Sequence, residues 1–349
     1  MSSRPRLKSH ARPLRRGPGS LQLGLYPDDG VVLDGLSEAE IALAESLDGT
    51  MDTQTVYAVA AAAGVPADRV SALIATLTEH HLLVETPSDR AWLSLVKGQP
   101  RQPQRTTATA EAITAAYVLP GDGFDLIAAR SAQHVVISGE GDLPQALAEL
   151  LRVGGIGQVS VGAQAANGLD LELRGHRFGA REATPWRAPD APAPPDLVVL
   201  AAMGAIHADA GEPWLRRGVP HLPLVVQAHR VQVGPLITGG AGPCLLCMDL
   251  HRRDRDAAWP ALLSQLSPVW PLRPAPPVTL ESTLSAMTAG VAAMMVHTCL
   301  DGQPIPGDVS LELSLPWPAA LSRRWQRHPL CGCIAKHATR AGQHATMVG

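Results

Sequence analysis

Four cysteines stand in two close pairs, Cys244 and Cys247 in Gly-Pro-Cys-Leu-Leu-Cys and Cys331 and Cys333 in His-Pro-Leu-Cys-Gly-Cys. A two-residue spacer lets two thiolates face one ion, and thiolates suit tetrahedral Zn²⁺. Two close pairs far apart in a chain without a secretory apolar region fit a metal better than disulfides. Four thiolates at about 2.3 Å fill the coordination sphere and leave no position for a substrate. The expectation is a structural zinc site that ties the C-terminal region back onto the body, with four ordinary buried thiols as the alternative. Gly332 is expected to permit the bend of the one-residue spacer, and His251 or His328 to be available as substitute ligands. Cys299, alone in an apolar stretch, reads as a small core residue, because a reactive thiol needs a basic, partly exposed setting.

A second pattern is a strand, a glycine turn and a helix. Val135-Val136-Ile137 is a short apolar strand, Gly139-Glu140-Gly141 a tight turn, and Pro144 to Leu151 a helix closed by Gly154-Gly155-Ile156-Gly157. Val159-Ser160-Val161 is the next strand, completing a βαβ unit of Rossmann type. Leu197 to Leu200 and Leu224 to Val226 supply two more buried strands, with a proline-rich loop from Thr184 to Asp196 before them. The fold class expected is α/β, with a mostly parallel sheet. The uncharged stretch Leu284 to Leu300 is short for a span of about 20 residues and reads as a buried helix, so no membrane partner is expected.

The first part of the chain is organised differently. Residues 1–20 are a basic arm, with Arg4, Arg6, Lys8, Arg12, Arg15 and Arg16 before any acid, expected to be disordered or loosely docked. Residues 21–98 read as a small winged helix-turn-helix module. A hairpin of Leu21–Leu25 and Val31–Leu33 turns at Tyr26 to Gly30. A helix begins at the capping box Ser37/Glu40, a second runs from Thr53 to Gly64, and Pro66 opens a third with Val70, Leu73, Ile74 and Leu77 on one face. Leu82-Leu83-Val84 is the final strand. From Leu36 to Val84 seven acids face one base, Arg69. A DNA reader needs several Lys or Arg to neutralise phosphates, so peptide binding or packing is favoured and no nucleic-acid partner is expected. Residues 99–116 form a polar linker, and 117–349 the α/β domain.

Composition bounds the rest. The 349 residues carry 29 basic and 32 acidic side chains, a formal charge of −3, which gives no reason to expect a polyanionic partner. Only Lys8, Lys97 and Lys336 are lysines, and this arginine bias with abundant Ala, Gly and Pro suits a GC-rich bacterial genome. With no secretory signal the chain reads as cytoplasmic.

The Rossmann unit, the later strand Val231–Leu236 before Gly-Pro-Cys-x-x-Cys, the small-residue helix Ser285–Leu300 and the final cysteine pair together resemble the ThiF/MoeB/E1-like superfamily over roughly Asp125 to Ala335. With the N-terminal module, the chain is similar to bacterial ThiF-like proteins, including cyclodehydratase partner proteins whose winged-helix domain holds a leader peptide. The resemblance implies ATP, Mg²⁺, acyl-adenylate chemistry on a peptide or ubiquitin-like carrier, and a homodimer. Gly139 and Gly141 match the family's nucleotide turn, but Pro144 stands where its third glycine would be, and Glu140 and Asp142 add negative charge where phosphates would lie. Asp142 is expected to cap the helix. No acid follows Val159-Ser160-Val161 in Gly162-Ala163-Gln164, since Asp170 and Glu172 come too late. Arg174, Arg177 and Arg181 lack the family's context, and Ala201-Ala202-Met203-Gly204 lacks its magnesium-binding Asp. Arg230 beside His229 is a candidate for an anion, or a surface pair. The expected function is a catalytically degenerate E1-like scaffold for a peptide or small carrier protein. The alternatives are an active ATP-dependent adenylyltransferase and, from the helix-turn-helix alone, a DNA-binding regulator.

Overall fold

The computed structural model describes residues 4–8, 11–25, 30–85, 110–112, 114–115, 123–162, 194–240, 242–266 and 276–333. Most of the linker, the proline-rich loop before Pro194, and the positions of Gln164, Asp170, Glu172, Arg174, Arg177 and Arg181 lie outside these residues. The chain divides into two compact units, 1–129 and 130–349.

In the first unit the basic arm is built into the fold rather than loosely docked. Strand β1 (Pro5–Leu7) pairs antiparallel with β5 (Leu83–Glu85), and β2 (Pro13–Gly17), β3 (Ser20–Leu23) and β4 (Val31–Asp34) form an antiparallel sheet. The arm's charge has a local purpose. Arg15 reaches Glu38 at 2.7 Å and Glu45 at 2.9 Å on helix α1 (Glu38–Glu45). The capping box exists as read: Ser37 N donates to Glu40 Oε2 at 2.7 Å and Glu40 N to Ser37 Oγ at 3.2 Å. Asp52 caps α2 (Thr53–Ala62), accepting from Thr55 N at 2.8 Å, and Pro66 occupies the N-cap of α3 (Ala67–Glu79), one position earlier than expected. Ile41, Val56, Val70 and Leu77 bury against Leu21 and Leu23. Helix α4 (Phe124–Arg130) reaches the division between the units.

The second unit runs β6 (His134–Ser138), α5 (Asp142–Val153), β7 (Gln158–Val161), β8 (Leu197–Met203), α6 (Ala208–Arg217), β9 (His221–Gln227) and β10 (Arg230–Val233), then α7 (Leu245–Arg255), α8 (Trp259–Leu266), α9 (Ser282–Leu300), β11 (Val309–Ser314) and β12 (Ala319–Arg324). The sheet order is β12-β11-β10-β9-β8-β6-β7. Strands β7, β6, β8 and β9 are parallel, as the βαβ reading requires. The sheet as a whole is nevertheless mixed, not mostly parallel, because β10, β11 and β12 alternate in direction. The reversal starts at a tight turn, where Ala228 takes a positive φ of 51° and sends β10 straight back along β9.

Alternation along the parallel strands feeds two cores. Val135 and Ile137 of β6 point to the face covered by α5 and α9, where Leu147, Leu151, Ala289, Ala292 and Val296 lie. Val136 points to the opposite face, with Trp214 of α6 and Leu245 and Met248 of α7. Helix α9 is long and apolar enough to cross a membrane, but its stripe from Leu284 to Val296 is part of the first core.

One ion pair is sealed inside this unit. Arg130 Nε donates to Asp301 Oδ1 at 2.8 Å, and a second nitrogen lies 2.5 Å from Oδ2, while Arg130 also donates to Gly154 O at 2.9 Å. His297, close by, is held at a pKa of about 4 by burial, and so is His221 at the start of β9. Both imidazoles stay neutral in the folded chain and regain a value near 6.5 on unfolding. Each therefore contributes stability that is intact above about pH 6.5 and is lost as pH falls toward 4, at up to ~1.4 kcal/mol per pH unit. Urea midpoints measured across that window should drop steeply. Replacing His297 with Gln should flatten the slope, and an unchanged slope would refute the assignment.

Candidate metal centre and glycine turn

Cys244 is the N-cap of α7 and Cys247 lies in its first turn, while Cys331 and Cys333 follow β12. The returning segment is held by its neighbours. Trp325 N donates to Asp308 O at 2.7 Å, Trp325 Nε1 donates to Ser310 Oγ at 2.8 Å, and Arg327 Nε donates to Gly242 O at 3.1 Å, just before the first pair. The four thiols are buried and their sulfurs lie within 4.8 Å of one another. Cys244 and Cys247 are 3.8 Å apart, Cys244 and Cys331 3.6 Å, and Cys247 and Cys333 3.6 Å. These spacings are far too long for a disulfide, whose S–S bond is about 2.05 Å. They match the edge of a tetrahedron of sulfurs around a zinc-sized ion, about 3.8 Å for ligand bonds of 2.3 Å. The cluster can hold a metal ion, and all four sequence-assigned ligands are in it.

A hydrogen bond from Cys244 draws the Cys247 thiol down to about 4. That same bond pushes Cys244 upward, and burial pushes Cys333 up to about 12. With no ion present, Cys244 and Cys333 would keep their protons, and holding all four as thiolates in so dry a space would take a divalent cation among them.

Neither histidine serves as a ligand. His328, 3% exposed, has Nε2 2.7 Å from Asp254 Oδ2, and its Nδ1 accepts from Leu330 N at 3.1 Å. His251 Nε2 sits 2.9 Å from Gln326 O. Both brace the segments that carry the thiols, as partners outside the coordination sphere commonly do. Gly332 is not forced to be glycine: its φ is not positive and a Cβ would meet open space, so the one-residue spacer bends without help. Cys299 lies half-buried on α9, its thiol pushed up by burial.

Gly139 and Gly141 do need to be glycine, with φ of +120° and +117°. A Cβ at 139 would stand 2.8 Å from Ala201 O, and one at 141 would stand 2.7 Å from Val278 O. The turn lies at the carboxyl end of β6, beside β8, where the strand order changes direction and doubly wound sheets bind ligands. Asp142 does not cap α5. The N-cap is Gly141 and has no side-chain bond. Instead the segment before α9 closes the turn, with Val278 N donating to Glu140 O at 2.6 Å and Leu143 N donating to Val278 O at 3.3 Å. β8 ends in Ala201, Ala202 and Met203, so its tip offers no carboxylate. Arg230, at the start of β10, is exposed on the turn from β9, as a surface position.

Sequence reasoning missed a cleft of about 400 Å³ between α6, α7 and α8, lined also by Cys244, Cys331 and Cys333. Among its polar residues, His207, His221 and Asp249 come from three separate parts of the chain, and no local motif links them. The one available signal was a histidine opening an otherwise apolar strand.

The sequence matches no protein-family model and no curated protein. Solved structures do match. Escherichia coli MccB with succinimide superposes at a TM-score of 0.61 and 14% identity, over 96% of this chain and 99% of MccB. The heterocyclase TruD gives 0.59 at 15% identity, over 94% of this chain and 42% of TruD. A heterocyclase in complex with substrate and cofactor gives 0.58 at 15% identity, over 96% and 40%. The chain thus spans about two fifths of the two heterocyclases and nearly all of MccB. At this level of identity the likeness is one of fold, and the chain has the mixed α/β architecture found in MccB, TruD and related heterocyclases.

Proposed function

We propose that this chain is a peptide- or carrier-binding partner protein with an E1-like fold and a degenerate nucleotide site, acting in peptide or sulfur-carrier modification. The observation that carries this reading is the closure of the glycine turn by Val278. A helix N-terminus binds phosphate through vacant N–H groups, and here the Leu143 amide is directed at a carbonyl of the chain itself. Glu140 and Asp142 add charge of the wrong sign beside it, and the tip of β8 has no carboxylate for Mg²⁺. MccB has been solved with MccA and with ATP. The partner-binding half of that pair is the one proposed for this chain.

The N-terminal unit is proposed as the winged-helix-like peptide module. Between Leu36 and Val84 seven acids face one base, Arg69, which is tied to Glu40 at 2.6 Å, so this segment suits a basic peptide better than DNA, although the six bases of residues 4–16 belong to the same unit. The cysteine cluster is proposed to hold structural zinc, and the assembly to be a homodimer.

Calorimetric titration of the zinc-loaded chain with Mg·ATP should give no binding heat at millimolar nucleotide, while a basic peptide binds without nucleotide. Saturable ATP binding with ATP–pyrophosphate exchange would instead establish an active adenylyltransferase. Failure to bind any basic peptide in a library would sink the scaffold reading.

A further inference from the structure

The cleft between α6, α7 and α8 falls within the range of about 300–1,000 Å³ common for small-ligand sites. Its walls are largely aliphatic, from Leu215, Leu245, Leu250 and Leu263, with the Trp259 indole beside them. Two polar groups in the lining are left with capacity to spare. Asp249 is 6% exposed. Its Oδ1 accepts from Arg252 at 3.2 Å and from Trp259 Nε1 at 3.3 Å, whereas its Oδ2 is buried with no partner. His221 is 1% exposed, with Nδ1 3.3 Å from Val219 O. A carbonyl can only accept, so the proton is on Nδ1 and Nε2 keeps a lone pair. Gly211 of α6 lies against that ring: a Cβ there would stand 2.8 Å from Nε2 and 2.7 Å from Leu245 Cδ1.

The remaining charges of the lining have partners already, Asp209 with His207 at 3.5 Å, Glu212 with Arg216 at 3.4 Å and Arg253 with Asp254 at 3.1 Å. With Asp249 ionised, both groups with spare capacity accept hydrogen bonds and neither donates. A buried acceptor left unmade is costly and uncommon. The complement to an acceptor-only, net acidic, aliphatic cleft is a donor-only cation on an apolar stem.

We propose that this cleft binds an alkyl ammonium or alkyl guanidinium group, its head donating to Asp249 Oδ2 and its stem lying along Leu245, Leu263 and Trp259. His221 Nε2 offers a further acceptor within the same cleft. The chemistry is shared by free amines and by Lys or Arg side chains of a peptide, and the site does not depend on the function proposed above.

The test titrates the zinc-loaded full chain with n-pentylamine, agmatine, a short lysine peptide with blocked ends, and neutral 1-pentanol. Saturable binding of the amines or the lysine peptide but not of the alcohol is expected, with Asp249→Asn weakening it at least about tenfold at unchanged zinc content. Response to both free amines and peptide marks a general cation site, and response to the peptide alone marks a side-chain site. Either supports the proposal. No saturable binding, equal binding of the alcohol, or undiminished affinity in Asp249→Asn overturns it. Should that variant not fold, the ¹⁵N resonance of His221 Nε2 in the wild-type chain decides. It shifts on amine addition if the head enters the cleft, and a resonance that stays fixed refutes the site.

Discussion

A chain carrying Cys331→Ser and Cys333→Ser is expected to bind no zinc, where wild type is expected to bind one equivalent, and to melt at least about 10 °C below wild type. Structural zinc in small peptides binds with roughly 10–16 kcal/mol at neutral pH. Here the second unit has cores of its own, so only part of that is needed for folding. Even about 4 kcal/mol would shift a unit of this size by some 10 °C, at ~2–4 °C per kcal/mol. The loss has a definite route. Cys331 and Cys333 belong to the same buried cluster as Trp325, Trp214 and Met248, so releasing the ion also loosens the face of the sheet under α6 and α7. Elemental analysis and calorimetry of the variant, and of wild type after a strong chelator, check this together. Cys299→Ser is the control and should keep its metal, since that thiol lies on α9 and outside the cluster. Zinc-free protein as stable as the loaded form would refute the assignment.

Asp301→Ala should be the most damaging single substitution of a charged residue in the second unit, costing about 3–5 kcal/mol in denaturant unfolding. The Arg130 and Asp301 side chains are 6% and 7% exposed, and their two bonds tie Arg130 to the C-cap of α9 within the second unit. Removing the carboxylate leaves the guanidinium in place, desolvated and deprived of its bidentate partner. Burial is what sets the size of the effect. Arg324 and Asp308 are as close, at 2.8 Å, but lie 77% and 40% exposed, and Asp308→Ala should cost under about 1 kcal/mol. Comparable losses at the two sites would contradict this account.

The cysteine centre was legible because its chemistry is carried by one residue type at short spacing, and few arrangements of four thiols make sense. The capping box at Ser37 and the βαβ unit were legible for a related reason, since each is a local pattern with a local cause. What escaped was decided at a distance. Arg15 reads as part of a charged tail until Glu38 and Glu45 are brought beside it. Strands β11 and β12 lie at one edge of the sheet and are mostly half-buried or exposed, so they lack the continuous apolar run that betrays β8 and β9. The reversal at Ala228 follows from one positive φ and made a mixed sheet of one expected to be mostly parallel. Asp142 is a suitable capping residue on composition, yet a carbonyl from a segment more than a hundred residues later took the position.

The two cysteine pairs meet across 87 residues, and that stretch contains α7, α8, α9 and the last two strands of the sheet. During synthesis the first pair therefore leaves the ribosome long before its partners exist. Two thiols alone form a weak half-site, open to oxidation. Tight capture of the ion has to wait until the chain beyond Trp325 has emerged and docked. A metal bound there would thus be loaded late in biogenesis, and a product that stops before Cys331 would carry only half of the ligand set.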